Sequence, residues 1–239
     1  MCGRYTLSTP ADILQAIFRV TEWVRMRARY NLAPMQDAVI VRAGAEGDTR
    51  EAALARWGLV PHWADDPSIG GRMINARSET ASGKPAFRDS FRRRRCLVPA
   101  DGFYEWQATE AGKRPMLIKR PDDQPLAFAG LWSVWRPKDA PADAPERLET
   151  YTILTTSANS ALRPIHERMP VILDARDFDD WLDPGATVEG LEALLRPCPD
   201  DALAMHQVST RVNSPKHDDP SLIEPVGEEG EPGEQRSLF

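Results

Sequence analysis

Apolar residues in this 239-residue chain recur in short alternating bursts, and long helical stripes are scarce. The runs DAVIVR (37–42), ALARWGLV (53–60), GFYEWQ (102–107), RPMLIKR (114–120), LAFAGLWSVW (126–135), TYTILTT (150–156) and VILD (171–174) each predict a strand. They are rich in β-branched and aromatic side chains and are bounded by Pro, Gly or Asp. One helix is signalled after Thr9, with Thr9 as N-cap, Pro10 at the first position, and Ile13, Leu14, Ile17 and Phe18 on one face. Further helices are expected around 78–92, 176–182 and 188–195. Many strands with interspersed helices, but no regular βαβ alternation, predict an α+β fold with a mainly antiparallel, curled sheet. The length favours a single domain, placed over 1–225. The segment 138–149 reads as a solvated loop, and 226–239 as an acidic, disordered tail.

Several classes are disfavoured. No charged-then-apolar leader marks the first residues, and no apolar stretch approaches the roughly 18–20 residues that span a bilayer. Three cysteines at wide spacing, Cys2, Cys96 and Cys198, do not suggest a disulfide framework. A cytoplasmic location is therefore expected. Without CxxC, HxH, HExxH, GxGxxG or P-loop patterns, neither a metal nor a nucleotide cofactor is expected. The net charge of −6 is unevenly spread. Residues 174–183 carry five Asp against one Arg, and 226–239 four Glu against one Arg, whereas 84–95 (KPAFRDSFRRRR) has six basic residues against one Asp. A polyanion responds to such a local basic field more than to the total charge, although four successive arginines also suit a solvated loop.

Cys2 is the first candidate for chemistry. Once Met1 is removed it would present an α-amine and a thiol on one residue, with ordinary pKa values of about 7.7–8.0 and about 8.5. An amine condenses with an aldehyde to a Schiff base, and the thiol can then close a five-membered thiazolidine. The alternative is a small buried hydrophobe. Glu105 interrupts the apolar run GFYEW and, by strand alternation, shares a face with Phe103 and Gln107, opposite Tyr104 and Trp106. A carboxylate in that setting suits proton transfer if it points inward, and is unremarkable if it points outward. His166, in RPIHERMP, is either a proton shuttle or a surface imidazole beside an ion pair. Asn75, in MINARSET, either caps the following helix or offers its amide to a reacting oxygen. Arg4 and Arg77 are candidate phosphate contacts. Trp57 is assigned to the core, while Trp63 is a candidate for stacking on a base.

The order of the motifs carries more than any one of them. MCGRYTL, RYNLAP (29–34), RWGLVPHWA (56–64), INARSET (74–80), RCLVPADGFYEW (95–106), TTSANSALRPIHERMPVIL (155–173) and VNSPKHDDPSLIEP (212–225) together resemble the SOS response-associated peptidase (SRAP) family over residues 2–225. The resemblance implies a single α+β domain with a barrel-like sheet, flanking short helices and a basic groove. It implies capture of abasic sites in single-stranded DNA by a thiazolidine crosslink through Cys2 after loss of Met1. Asn75 would hold the opened sugar, Glu105 would act as acid and base, and His166 would assist ring opening and crosslink reversal. Arg4, Arg77 and Arg163 would hold phosphates, with Trp63 as wedge or stacking partner. The expected protein is a monomer without cofactor. One departure is the acidic balance of the chain, which suits a DNA groove only if 174–183 and the tail lie away from it. Two rivals remain open on the sequence: a thiol peptidase or terminal-nucleophile amidase built on Cys2, His166 and Asn75, and a non-covalent single-strand-binding module.

Overall fold

The computed structural model describes residues 2–44, 49–137 and 147–226. In chain order its strands are β1 (Tyr5–Leu7), β2 (Arg29–Leu32), β3 (Asp37–Ala43), β4 (Arg50–Trp57), β5 (Asn75–Arg77), β6 (Arg95–Ala100), β7 (Gly102–Thr109), β8 (Gly112–Lys119), β9 (Leu126–Trp135), β10 (Leu148–Ser157), β11 (Arg168–Pro170) and β12 (Ala204–Gln207). The α-helices are short: α1 (Ala11–Phe18), α2 (Ser78–Ala81), α3 (Arg88–Arg93), α4 (Phe178–Leu182) and α5 (Val188–Leu194). None is long and apolar enough to cross a membrane.

Two sheets make the α+β fold. Strands β4, β3, β6, β9 and β10 pair in sequence, and β10 returns to β4 in parallel, so these five close into a barrel. Closure removes the free edges that a strand-rich chain must otherwise cover. At one end β10 outruns its neighbours, and β5 (parallel, Asn75 opposite Ile153) and β11 (antiparallel, Arg168 opposite Ser157) pair with the overhang. The second sheet is wholly antiparallel, in the order β12-β8-β7-β1-β2.

Strand alternation sorts the side chains of the second sheet. Tyr5, Phe103 and Ile118 join the barrel residues Trp57, Phe128 and Tyr151 in the main core. On the other face Tyr104 and Leu117 pack with Val208, Val212 and Leu222 in a smaller cluster. The Tyr5 ring meets Trp57 and Phe128 edge-on, and its hydroxyl lies 2.7 Å from that of Tyr151.

Most strand expectations match, and the exceptions have local causes. The strand expected over 53–60 stops at Trp57, because Gly58 takes a φ of +129° and a Cβ there would sit 2.6 Å from Gly70 O. VILD is not a strand: Ile172 makes one bridge to Phe128, while Val171 N bonds Leu154 O and Leu173 N bonds Ala127 O. The helix expected over 78–92 is two helices, split at Gly83-Lys84-Pro85. The first helix begins at Ala11 without a side-chain cap. Thr9 instead gives its hydroxyl and its N–H to Asp101. On that helix Leu14 and Phe18 are buried, whereas Ile13 is 44% exposed. Of the loop expected over 138–149, residues 138–146 lie outside the described residues and Leu148–Glu149 belong to β10. The expected tail, past Val226, lies outside them as well.

Candidate active site

Cys2 lies three residues before the first residue of β1 and is fully buried in the main core. Asn75 Nδ2 donates to the Cys2 carbonyl oxygen at 2.8 Å, which ties the start of the chain to the first residue of β5. Asn75 Oδ1 is buried and has no hydrogen-bond partner. Glu105 stands on β7 on the face of Phe103, 5% exposed, so the inward of its two expected orientations is realised. Burial pushes the Cys2 thiol far above its ordinary range, and the nearby Glu105 carboxylate adds to the rise. The sulfur's 3.9 Å contact to Arg4 O offsets this only in part. A thiol in this setting is held protonated.

His166 comes from the opposite side of the barrel end. A tight turn fixes it: Arg163 N bonds Asn159 O and His166 N bonds Leu162 O, each at 3.0 Å. Its Nδ1 accepts the Arg168 N–H at 2.9 Å. The Arg168 guanidinium meets Glu79 with two parallel bonds, of 2.5 and 2.9 Å, and also reaches Thr155 O. That pairing holds the Glu79 carboxyl below its usual range. Thr155 lies opposite both Arg77 and Pro170, so β5 and β11 flank β10 and bring Arg77 and the His166 turn to one margin. The structure thus gathers Cys2, Asn75 and Glu105, with Arg77 two residues beyond Asn75. Arg77 and Arg163 are exposed, and neither guanidinium meets a carboxylate among the described residues.

Arg4 has structural work to do. Its guanidinium donates to Asn31 Oδ1 and Val212 O at 2.9 Å and to Asn213 O at 3.2 Å. Asn31, fully buried, donates onward to Val212 O, Ser214 O and His217 O. Asp218 accepts the Tyr30 and Asn31 N–H groups and pairs with Arg29. Two of the sequence motifs, RYNLAP and VNSPKHDDP, are therefore the halves of one bracket around the start of β1. Asn31 and Asp218 were not among the expected site residues. For Asn31 the available signal was an amide side chain between Tyr30 and the apolar Leu32 and Ala33.

The basic stretch is divided. Arg95 opens β6, 5% exposed, and donates to the carbonyls of Trp181, Phe91 and Arg92. It is a buried tie between α3, β6 and α4 and not a phosphate contact. Arg92 and Arg93 are exposed and line a surface depression with His62, Asp89 and Arg94. Trp57 belongs to the core and Trp63 is 46% exposed. The acidic segment 174–183 is engaged by its own neighbourhood: Asp179 by Arg19 and Arg50, Asp177 by Arg176 and Arg196. None of these pairs includes Cys2, Asn75, Glu105 or His166. All three cysteines are free thiols, and among the described residues no cluster of three metal-ligating side chains occurs.

A family model described as SOS response associated peptidase (SRAP) matches residues 1–215. The chain is 41% identical over 229 residues to abasic site processing protein YoqW of Bacillus subtilis, covering 94% of this chain and 99% of that one. It is 34% identical over 267 residues to abasic site processing protein HMCES of Gallus gallus, covering 95% and 78%. A crystal structure of a protein from Bacteroides thetaiotaomicron matches with a TM-score of 0.83 at 26% identity, over 94% of this chain and all of that one.

Proposed function

This chain belongs to the SOS response associated peptidase (SRAP) family, and we propose that it captures abasic sites in single-stranded DNA as a covalent thiazolidine through Cys2. The carrying observation is the buried set in which Asn75 grips the Cys2 carbonyl and Glu105 is buried on β7, the strand that pairs with β1 just beyond Cys2. Two relatives are named for abasic-site processing, and an abasic sugar supplies an aldehyde when its ring opens.

With Met1 removed, the Cys2 amine adds to the C1′ carbonyl to give a carbinolamine. A proton from Glu105 lets its hydroxyl leave as water, forming the protonated imine and leaving Glu105 as a carboxylate. The Cys2 sulfur then adds to the iminium carbon as its proton passes to the Glu105 carboxylate; the C=N electron pair returns to the nitrogen, which becomes a neutral ring amine, and the acid is restored. Amine, thiol and aldehyde become thiazolidine and one water, with no redox change. A thiol held above its usual range attacks only if a base takes its proton during the step, and Glu105, whose charge acts on that thiol, is assigned this role. His166, whose ring is oriented by the Arg168 N–H at Nδ1, is assigned to opening of the sugar ring. Arg77 and Arg163 are assigned to phosphates.

A thiol peptidase needs the opposite environment, a thiolate stabilised by a cationic partner. Burial and a neighbouring carboxylate work against it here.

The test is incubation with an oligonucleotide carrying one abasic site, followed by denaturation and peptide mapping. An adduct on the peptide that begins at Cys2 is expected, absent with Cys2→Ala and absent when Met1 is retained. An equal adduct with Cys2→Ala overturns the proposal.

A further inference from the structure

The loop that carries His166 runs from the end of β10 to the start of β11, and the Ala158 N–H closes it on Glu167 O at 2.9 Å. Its one buried polar side chain is Asn159, 7% exposed. Asn159 Oδ1 accepts the Leu162 N–H at 3.0 Å, while Nδ2 donates to the carbonyl oxygens of Cys198 and Pro199 at 3.2 and 3.3 Å. Leu162, buried in the main core, passes the constraint on. Its own carbonyl accepts the N–H groups of Ile165 at 2.8 Å and of His166 at 3.0 Å. One side chain thus sets the curvature of the loop and fastens it to a segment 39 and 40 positions away.

This work needs an amide, the side chain that offers an acceptor and donors on one planar group. The Arg168 N–H at Nδ1 sets the rotation of the His166 ring, but the place of the ring in the site follows the loop. A catalytic group displaced by about 1 Å can cost about 10²-fold in rate, so the fastening of the loop bears directly on any proton transfer that His166 performs.

We propose that Asn159 is a positioning residue that acts through His166 on the opening of the abasic sugar. This rests on the function proposed above. In ring opening the 1′-hydroxyl gives up its proton, the C1′–O4′ bond breaks and O4′ gains a proton, so the cyclic sugar becomes the open aldehyde with no net change of atoms. Condensation with Cys2 follows as a separate stage. Displacing His166 slows the first stage and spares the second, so loss of Asn159 has a signature that depends on the substrate.

The test is single-turnover capture of two oligonucleotides by wild type, Asn159→Ala, His166→Ala and the double variant. One oligonucleotide carries a natural abasic sugar, and the other an acyclic aldehyde linker at that position, with no ring to open. Asn159→Ala should capture the natural sugar at least tenfold more slowly and the acyclic aldehyde within twofold of wild type. The double variant should be no slower on the natural sugar than His166→Ala, because the two residues act as one unit. Asn159→Asp keeps the acceptor for the Leu162 N–H and loses both donations, so it should fall between Asn159→Ala and wild type; it carries the same comparison if Asn159→Ala does not fold. Equal slowing on both substrates marks a purely structural role and overturns the proposal, as do an unchanged rate on the natural sugar and additive losses in the double variant. The His166 ring resonances in nuclear magnetic resonance should also shift in Asn159→Ala. A wild type that forms no adduct with either oligonucleotide refutes the abasic-site reading alone; the positioning then stands if those resonances shift and falls if they do not.

Discussion

Glu105→Gln keeps the size of the side chain and removes its charge and its capacity to take a proton. Two effects then oppose each other at Cys2. The thiol loses the neighbour that contributes to its raised pKa, so it should become more acidic, although burial remains the larger cause and keeps it above the ordinary range. That change alone would make the sulfur a slightly easier nucleophile. Against it stands the loss of general acid–base catalysis at the dehydration and ring-closing steps, typically a factor of about 10² to 10⁴. At about 1.36 kcal/mol per tenfold, even the lower figure is about 2.7 kcal/mol of barrier, so the loss of the base decides the sign. Single-turnover crosslinking to an abasic oligonucleotide should therefore slow at least 100-fold. Reaction of the thiol with an alkylating reagent should meanwhile become significant at lower pH than in wild type. Affinity for a stable tetrahydrofuran analogue, which has no aldehyde to open, should stay within about twofold, with the melting temperature held. A crosslinking rate within threefold of wild type refutes the role given to Glu105. A thiol that becomes less reactive at every pH refutes the electrostatic coupling between the two residues.

Glu79→Gln should release Arg168 from its two-bond pairing and tighten single-strand binding a few-fold, with the slope of log Kd against log salt steeper by about 0.7; unchanged affinity would show that Arg168 faces no phosphate. Asp218→Asn leaves the Arg29 guanidinium without its charge partner at 2.6 Å and weakens two backbone bonds to β2, so urea unfolding should show a loss of about 2–4 kcal/mol at constant m-value. Stability should also fall in alkali. Burial raises Cys2, Cys96, Tyr5, Tyr104 and Tyr151, so the folded chain keeps protons that the unfolded chain releases first. Stability is then level below about pH 8, declines through the ordinary thiol range near 8.5, and steepens past about 10; a melting temperature flat to pH 11 would contradict these burials.

The long strands were legible because their alternation is complete: β9 is the run LAFAGLWSVW residue for residue, and β7, β8 and β10 differ from their expected bounds by only a few residues. Strand β6 was hidden, since RCLVPA is buried on both faces and so does not alternate, and its first residue reads as the end of a basic run. Strands β1, β2, β5, β11 and β12 have three or four residues each, too few for a period to register, and their existence depends on partners far along the chain. The individual site residues could be picked out as misfits, a carboxylate among aromatics and a cysteine beside the start. Their association could not, because the bond from Asn75 to Cys2 spans 73 positions and joins β5, paired with β10, to the start of a chain whose first strand belongs to the other sheet. Arg4 shows the opposite limit: a lone arginine near a reactive residue invites a phosphate, and its carbonyl partners lie 208 and 209 residues away.

That last separation has a consequence in time. The bracket that seats the first strand contains residues 212–218, so it cannot close on a growing chain until about 208 further residues have been added after Arg4. At 5–20 residues per second that is roughly 10–40 s. During this interval the leading residues lack their final seat, whereas in the finished fold Cys2 is fully buried. Removal of Met1, on which the proposed chemistry depends, therefore has its natural opening on the ribosome. The later half of the bracket, residues 212–218, closes that opening once it has emerged, so the order of synthesis favours trimming first, then burial of the trimmed residue.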